Sequence, residues 1–430
     1  MAKVKVQNYK GTRDFYPEDK RLQKYVFNIW RSVCERYGYE EVDAPMLEPL
    51  ELYQMKNGAN PDMIKDELYA LTDKSGRDLV VRPEMTPTVS RMVAARRQEL
   101  QYPARWYSIP NLWRYERPQK GRLREHWQLN VDIFGQDGLQ AVFELLQIAN
   151  DIVVGLGAET GMYTIRINSR KLVNKLCELL RLCEPEASAL MQLIDKKAKM
   201  PIEEYDQKFN ELVDGDAAMK SLINEFLAAT SYDELPEELR NTDEAAELRQ
   251  LLDSCSDNMM ESVVYDPLIM RGFDYYTGFV FEVFNEDLEN NRAMLGGGEY
   301  DGLVGAMGAE PLPTAGFGMG DVTAIDFMQS QGTLPELWNE TDIYFVVLEG
   351  SLEAAQAAIR KLRQGPRINV AVDSTYRKLS KCLESADKRK IRYALICGEN
   401  EVKSGQYQLK DLKTGETFTM DLDKIAQALR

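Results

Sequence analysis

Residues 112–124 read Leu-Trp-Arg-Tyr-Glu-Arg-Pro-Gln-Lys-Gly-Arg-Leu-Arg. An apolar, β-prone entry at Leu112 and Trp113 leads into a loop whose four cations, Arg117, Lys120, Arg122 and Arg124, form a phosphate-attracting tip around Pro118 and Gly121. Pro and Gly interrupt the strand pattern and predict a turn. Arginine can hold phosphate through two parallel N–H donors, where lysine acts as a point charge. Residue by residue, the stretch is a basic hairpin; a solvated surface loop accounts for the same composition.

Working outward, short β-prone runs recur at residues 106–109, 129–134, 164–167 and 279–284, separated by Pro, Gly and charged turns, with helices interleaved irregularly. Strands grouped this way predict an α+β body with a largely antiparallel sheet. Tyr25, Val26, Ile29, Trp30 and Val33 repeat at helical spacing and predict an amphipathic opening helix over residues 21–37. Between residues 169 and 260 the chain turns Leu-rich and helical, which predicts a helical insertion into the body formed by residues 1–168 and 261–330. Beyond a break at Gly332 and Pro335, a strand at 343–348, a helix through 362 and a second strand at 368–372 predict a separate α/β module over 341–430.

A chain of 430 residues exceeds one ordinary core, and two to four units are expected. No apolar run approaches the ~20 residues that span a bilayer, and the first residues show neither a secretory nor a transit pattern, so a cytoplasmic location is expected. Six cysteines with no C-x-x-C spacing argue against a disulfide framework and a thiolate zinc site, and point to buried free thiols. The single histidine, His126, cannot build a metal cluster by itself. A net charge of −16 looks wrong for a nucleic-acid binder, yet its distribution is uneven. Residues 200–262 hold about 17 acidic against 4 basic side chains, whereas residues 341–430 hold about 16 basic against 12 acidic.

The Arg-x-Glu and RPQKGR elements of residues 114–122 resemble motif 2 of class II aminoacyl-tRNA synthetases in its histidyl form. That resemblance implies that Arg114 holds the α-phosphate of ATP and the carboxylate of histidine, that Glu116 accepts from the adenine amino group, and that Arg122 reaches the terminal phosphates. Arg117, Lys120 and Arg124 would meet the tRNA acceptor end. Residues 271–282, RGFDYYTGFVFE, are similar to the signature that marks histidyl synthetases. Blind, they read as a β-hairpin with aromatic core residues. By resemblance, Arg271 is catalytic, stabilising charge on the α-phosphate as the histidine carboxylate attacks.

Other segments resemble the same family. In VRPEMT (81–86), Glu84 would bind the α-amino group with help from Thr86; in WQLNVD (127–132), Gln128 and Asp132 match ligand-binding positions. Asp132 and Tyr276 would contact the two ring nitrogens, with Tyr275 beside them and Tyr300 supplied by GGGEYDG (296–302). Two positions depart from the pattern. Glu299 stands where the family has arginine, and Thr323 falls where motif 3 ends in an arginine that packs on adenine.

The opening KGTRD (10–14) resembles the family's first segment, and Pro45 sits where motif 1, which lies at the family's dimer interface, carries its proline, so the resemblance implies a homodimer. The module after residue 341 resembles the anticodon-binding domain of class II enzymes, with Arg377, Lys378, Lys381, Lys388, Arg389, Lys390 and Arg392 available to phosphates. Expected partners are therefore histidine, ATP with Mg2+, and tRNA(His). An alternative keeps the body and loses catalysis: a synthetase-like regulatory subunit of histidine biosynthesis, which characteristically lacks the anticodon module. A class II synthetase for another amino acid would be expected to lack the paired tyrosines and Asp132.

Overall fold

The computed structural model describes residues 6–55, 66–197, 200–270, 275–364 and 368–429. Arg271 lies outside them, as do Gly272 and Asp274 of the same signature. The chain divides into two compact units, residues 1–334 and 335–430.

The first unit is organised by a nine-stranded sheet. Its order runs Glu40–Glu41, Ala104–Ser108, Glu125–Phe134, Thr314–Gly320, Ala293–Glu299, Phe279–Asn285, Tyr163–Ser169, Val263–Tyr265, with Asn111–Trp113 paired to the near end of Glu125–Phe134. All neighbours are antiparallel except the two edge pairs. The predicted α+β class with a mainly antiparallel sheet is thus the observed one. Strands extend past the apolar runs that betrayed them: Glu125–Phe134 begins four residues before Leu129, because its first half faces a polar pocket.

One face of the sheet is the core. Leu129, Val131, Ile133, Phe317, Met319, Leu295, Phe281, Val283, Ile165 and Ile167 all lie on it, buried beneath the helices Pro17–Arg36 and Gly138–Gly155. The opening helix starts at Pro17, a turn before the predicted Arg21. Proline is pre-set for the first helical turn, and Glu18 and Asp19 complement the positive end of the helix dipole, so polar residues carry the start.

After Tyr163–Ser169 the chain is helical, through Arg170–Leu179, Glu184–Lys196, Ile202–Val213, Ala217–Ala228 and Asp243–Asp257. The Ser169 hydroxyl accepts from the Leu172 N–H and caps the first of these helices. Leu190, Ile194, Phe209, Phe226, Leu248 and Leu251 continue the core of the sheet without a break.

The second unit is a five-stranded mixed sheet in the order Val370–Asp373, Ile343–Val347, Tyr393–Cys397, Tyr407–Asp411, Thr417–Met420, the first three strands parallel and each of the last two antiparallel to its predecessor. Ile343, Phe345, Leu395, Ile359 and Ile425 form its core. All six cysteines are free thiols; Cys183 is exposed, against the expectation of burial, because it sits at the start of the helix Glu184–Lys196. Among the described residues, no helix is long and apolar enough to cross a membrane.

Candidate active site

The face of the sheet opposite the core is where the polar residues converge. Side chains alternate along a strand, so His126, Gln128, Asn130 and Asp132 line one face of Glu125–Phe134. Directly paired residues share a face, which extends two rows across the sheet. Asp132 pairs with Gly316, Gly316 with Gly298, and Gly298 with Val280; Asn130 pairs with Gly318, and Gly318 with Gly296. The middle of the site is therefore a floor without side chains. A methyl on Gly316 would stand 2.4 Å from Asp132 Oδ1 and one on Gly298 would stand 2.9 Å from the Tyr276 ring, distances no real carbon tolerates.

At one end of this floor Asp132 accepts from the Tyr300 hydroxyl through Oδ1, while its Oδ2 is buried without a hydrogen-bond partner among the described residues. Burial pushes the Asp132 carboxyl up to about 7, against the Tyr300 hydrogen bond, which pulls it down. Burial, and then Asp132, hold the Tyr300 phenol well above its ordinary range, so Tyr300 keeps its proton and donates. Tyr275 closes the group, its ring 4.8 Å from that of Tyr276 and 5.7 Å from that of Tyr300. A buried, uncommitted carboxylate oxygen beside phenols is equipped to accept one N–H from a small flat ligand.

At the other end is a cavity of about 210 Å³ whose walls include Arg114, Glu116, Gly121, Arg122, His126, Gln128 and Thr323. Arg114 is aimed by its Nε, which donates to the Pro83 carbonyl at 2.9 Å, and this contact brings the VRPEMT segment to the cavity's edge. Glu116 lies between two guanidiniums, 3.8 Å from Arg114 and 3.3 Å from Arg122. A hairpin closed by mutual Gln119 and Arg122 backbone hydrogen bonds puts Lys120 and Gly121 at its tip. Burial, then Arg114 and Arg13, push His126 down to about 3, so the chain's single histidine stands neutral on the cavity wall. A buried carboxylate–phenol cluster and a cationic cavity thus share one strand, with Gln128 on the cavity wall between them.

A histidyl-tRNA synthetase family model matches residues 11–325, which contain both the buried cluster and the cavity, and an anticodon binding domain model matches residues 342–430. The chain belongs to the histidyl-tRNA synthetase family. It is 39% identical to the histidine–tRNA ligase of Leptospira biflexa, over 100% of this chain and 98% of that one. It is 33% identical to the ligase of Thermoplasma volcanium over 99% of each chain. Its fold matches the crystal structure of a histidyl-tRNA synthetase from Nostoc sp. PCC 7120 with a TM-score of 0.84, at 24% identity and 99% coverage of both chains. A structure titled ATP phosphoribosyltransferase regulatory subunit/histidyl-tRNA synthetase, from Bacillus halodurans C, shares the fold at a TM-score of 0.73 and 22% identity. Full-length relatives named as ligases support the aminoacyl-tRNA synthetase function, and the regulatory alternative is not favoured.

The two departures from the family pattern have distinct structural fates. The Thr323 hydroxyl lies 2.9 Å from the Met294 carbonyl and 3.0 Å from that of Gly320, so it ties down the helix start beneath the cavity and extends no cation into it. Glu299 is buried, and its Oε2 accepts from the Phe279 N–H at 2.6 Å. Burial raises its carboxyl, and the Phe279 N–H opposes that rise.

Other predicted residues are placed as follows. Glu84 is buried, its carbonyl accepting from the Tyr53 hydroxyl at 2.9 Å, and Thr86 begins the helix Thr86–Ala95. Arg117 and Lys120 are exposed. Arg124 is not at the loop tip: its guanidinium lies over the Tyr115 ring at 4.0 Å, and its Nε donates to the Glu116 carbonyl at 3.1 Å. In the second unit, Arg377 pairs with Asp373, Arg392 with Asp411, and Lys381 and Lys388 with Glu384, so part of the basic stretch is neutralised internally. Asp321, unmarked by the motif reading, is fully buried; it accepts from Arg13 at 2.8 Å and from the Trp127 N–H at 3.1 Å, anchoring the pocket strand. Its partners lie 308 and 194 positions away, beyond any spacing rule.

Proposed function

We propose that the glycine floor seats histidine at its Asp132 end and ATP at its Arg114 end, and that the activated amino acid is then transferred to tRNA(His). Asp132 carries this reading: a buried carboxylate with one oxygen occupied and the other open suits a ring N–H, and a hydrogen-bonded site rejects analogues that lack the group. The Tyr276 phenol takes the second ring nitrogen, Tyr275, Tyr300 and Gln128 enclose the ligand, and Glu84 with Thr86 meets the α-amino group. Arg114 and Arg271 stabilise negative charge that builds on the α-phosphate as the histidine carboxylate attacks and pyrophosphate leaves. Glu116 receives the adenine amino group and Arg122 the terminal phosphates. Arg117 and Lys120, exposed on the hairpin, face the acceptor end of the tRNA.

Magnesium belongs with the triphosphate. No group of three or more candidate ligands occurs among the described residues, and magnesium of this kind is held largely by substrate phosphates and water rather than by an all-protein cage. Bound there, it would neutralise the pyrophosphate leaving group. A homodimer formed around the Pro45 region and a cytoplasmic location complete the reading.

The test is exchange of labelled pyrophosphate into ATP against every standard amino acid. Histidine alone is expected to support exchange, and Arg271→Ala or Arg114→Ala to remove it. A protein that binds histidine yet never turns ATP over would restore the regulatory alternative.

A further inference from the structure

The turn that carries Tyr276 is gripped from two sides by residues that no motif assigns. Arg170, the first residue of the helix Arg170–Leu179, donates its backbone N–H to the Gly278 carbonyl at 2.9 Å and its Nη1 to the Tyr276 carbonyl at 2.9 Å. Glu299 does the converse: its carbonyl accepts from the Thr277 N–H at 2.8 Å, and its carboxylate accepts from the Phe279 N–H at 2.6 Å. Asp301 adds a hydrogen bond from the Thr277 hydroxyl at 3.2 Å. Each residue from 276 to 279 thus gives at least one backbone group to Arg170 or Glu299. The fit also requires Gly278, because a methyl there would stand 1.9 Å from Glu299 Oε2. Between Glu299 and Asp301, Tyr300 turns to Asp132.

We propose that Glu299 and Arg170 are positioning residues for histidine recognition. Glu299 faces the turn while its neighbour Tyr300 faces the Asp132 carboxylate, so one dipeptide sets the separation between the Tyr276 side of the site and the Asp132 side. Arg170 ties that geometry to the first helix of the helical segment. Neither touches substrate; both act through the placement of Tyr276 over the floor at Gly298, where a displacement on the order of 1 Å costs a bound ligand its alignment. This inference rests on the pocket being the histidine site.

The experiment measures pyrophosphate exchange and equilibrium dialysis of histidine on the full chain carrying Glu299→Ala, Glu299→Gln, Arg170→Ala or Tyr276→Phe. Glu299→Ala is expected to raise the histidine KM and Kd about tenfold, the scale of losing a hydrogen bond to a charged group, with the ATP KM unchanged. Glu299→Gln, which keeps an acceptor oxygen, restores most of the affinity. Arg170→Ala, which keeps its backbone N–H, gives a smaller loss of the same kind. Equal rises in both KM values, an unchanged histidine Kd in Glu299→Ala, or a Glu299→Gln variant as impaired as the alanine variant would each overturn the proposal. Tyr276→Phe separates the two readings. If it too leaves histidine binding unchanged, the pocket assignment fails; if it weakens binding while Glu299→Ala does not, only the clamp fails.

Discussion

The strand Glu125–Phe134 joins two regions of opposite physical character, a buried cluster and an open cavity. At the Asp132 end Asp132, Tyr275, Tyr276 and Tyr300 are buried and the floor is glycine, so a ligand would meet fixed partners there. At the Arg114 end the Arg122 side chain is 63% exposed, and Glu116 holds the arginines through ion pairs they must exchange when phosphate arrives. Discrimination between amino acids needs the first arrangement, because an unmade hydrogen bond is expensive only where water cannot replace it. Binding a triphosphate needs the second: its charge is large, and exposed guanidiniums can follow it.

The largest effect should come from the reacting centre. Arg114→Ala is expected to cut pyrophosphate exchange on the order of 10³-fold by analogy with arginines that stabilise phosphoryl transfer, while equilibrium dialysis still detects histidine; a variant exchanging at near the parent rate would erase the division between the pockets. Next comes Asp132→Asn, expected to weaken histidine binding roughly 100-fold and to leave the ATP KM in place.

The same residue predicts a pH dependence. Burial lifts its carboxyl to about 7, so the acceptor form is present above that pH and lost as pH falls through it. The ratio of parent to Asp132→Asn affinity should therefore collapse below pH 7, and a flat ratio would show that Asp132 does not meet the ligand. The stability sign runs the other way. The folded chain holds the Asp132 proton to higher pH than the unfolded chain, so this group costs stability progressively as pH rises from about 4 to about 7. Asp132→Asn should melt higher than the parent at pH 8, with the gain shrinking at pH 4.

A smaller effect is expected from Gly316→Ala, whose methyl would stand 2.4 Å from Asp132 Oδ1 and must displace it. Histidine KM should rise about tenfold, the cost of misaligning one charged hydrogen bond, and a change confined to the ATP KM would reverse the assignment of the two ends. The smallest is Arg122→Ala. Exposed charge is screened, so a severalfold rise in the ATP KM at low salt should fade as salt is added.

Much of the candidate site was legible because its chemical groups are contiguous in the chain. Arg114, Glu116 and Arg122 fall within nine residues, and Gln128 and Asp132 follow on the same strand at an even spacing that puts them on one face. The start of Glu125–Phe134 was hidden because Glu125, His126 and Gln128 are not β-prone, although His126 and Gln128 keep the polar half of the alternation where the strand lines the cavity. Arg124 reads as a loop-tip cation, but its guanidinium is spent on Tyr115 and the Glu116 carbonyl, partners that only the folded hairpin brings within reach. Glu299 reads as a flaw in a motif; in place it accepts a backbone N–H from a turn twenty residues away.

Local order along the chain was enough to establish the α+β class, the basic hairpin and the identity of the chemical groups, since alternation, turn residues and charge spacing are properties of neighbours. Which of those groups face one another was decided only when the antiparallel register set Asp132 against Gly316 and Gly316 against Gly298, leaving a floor with no side chains. Register depends on how the opposite, apolar face packs beneath its helices, a sum over distant contacts that no short stretch of sequence contains.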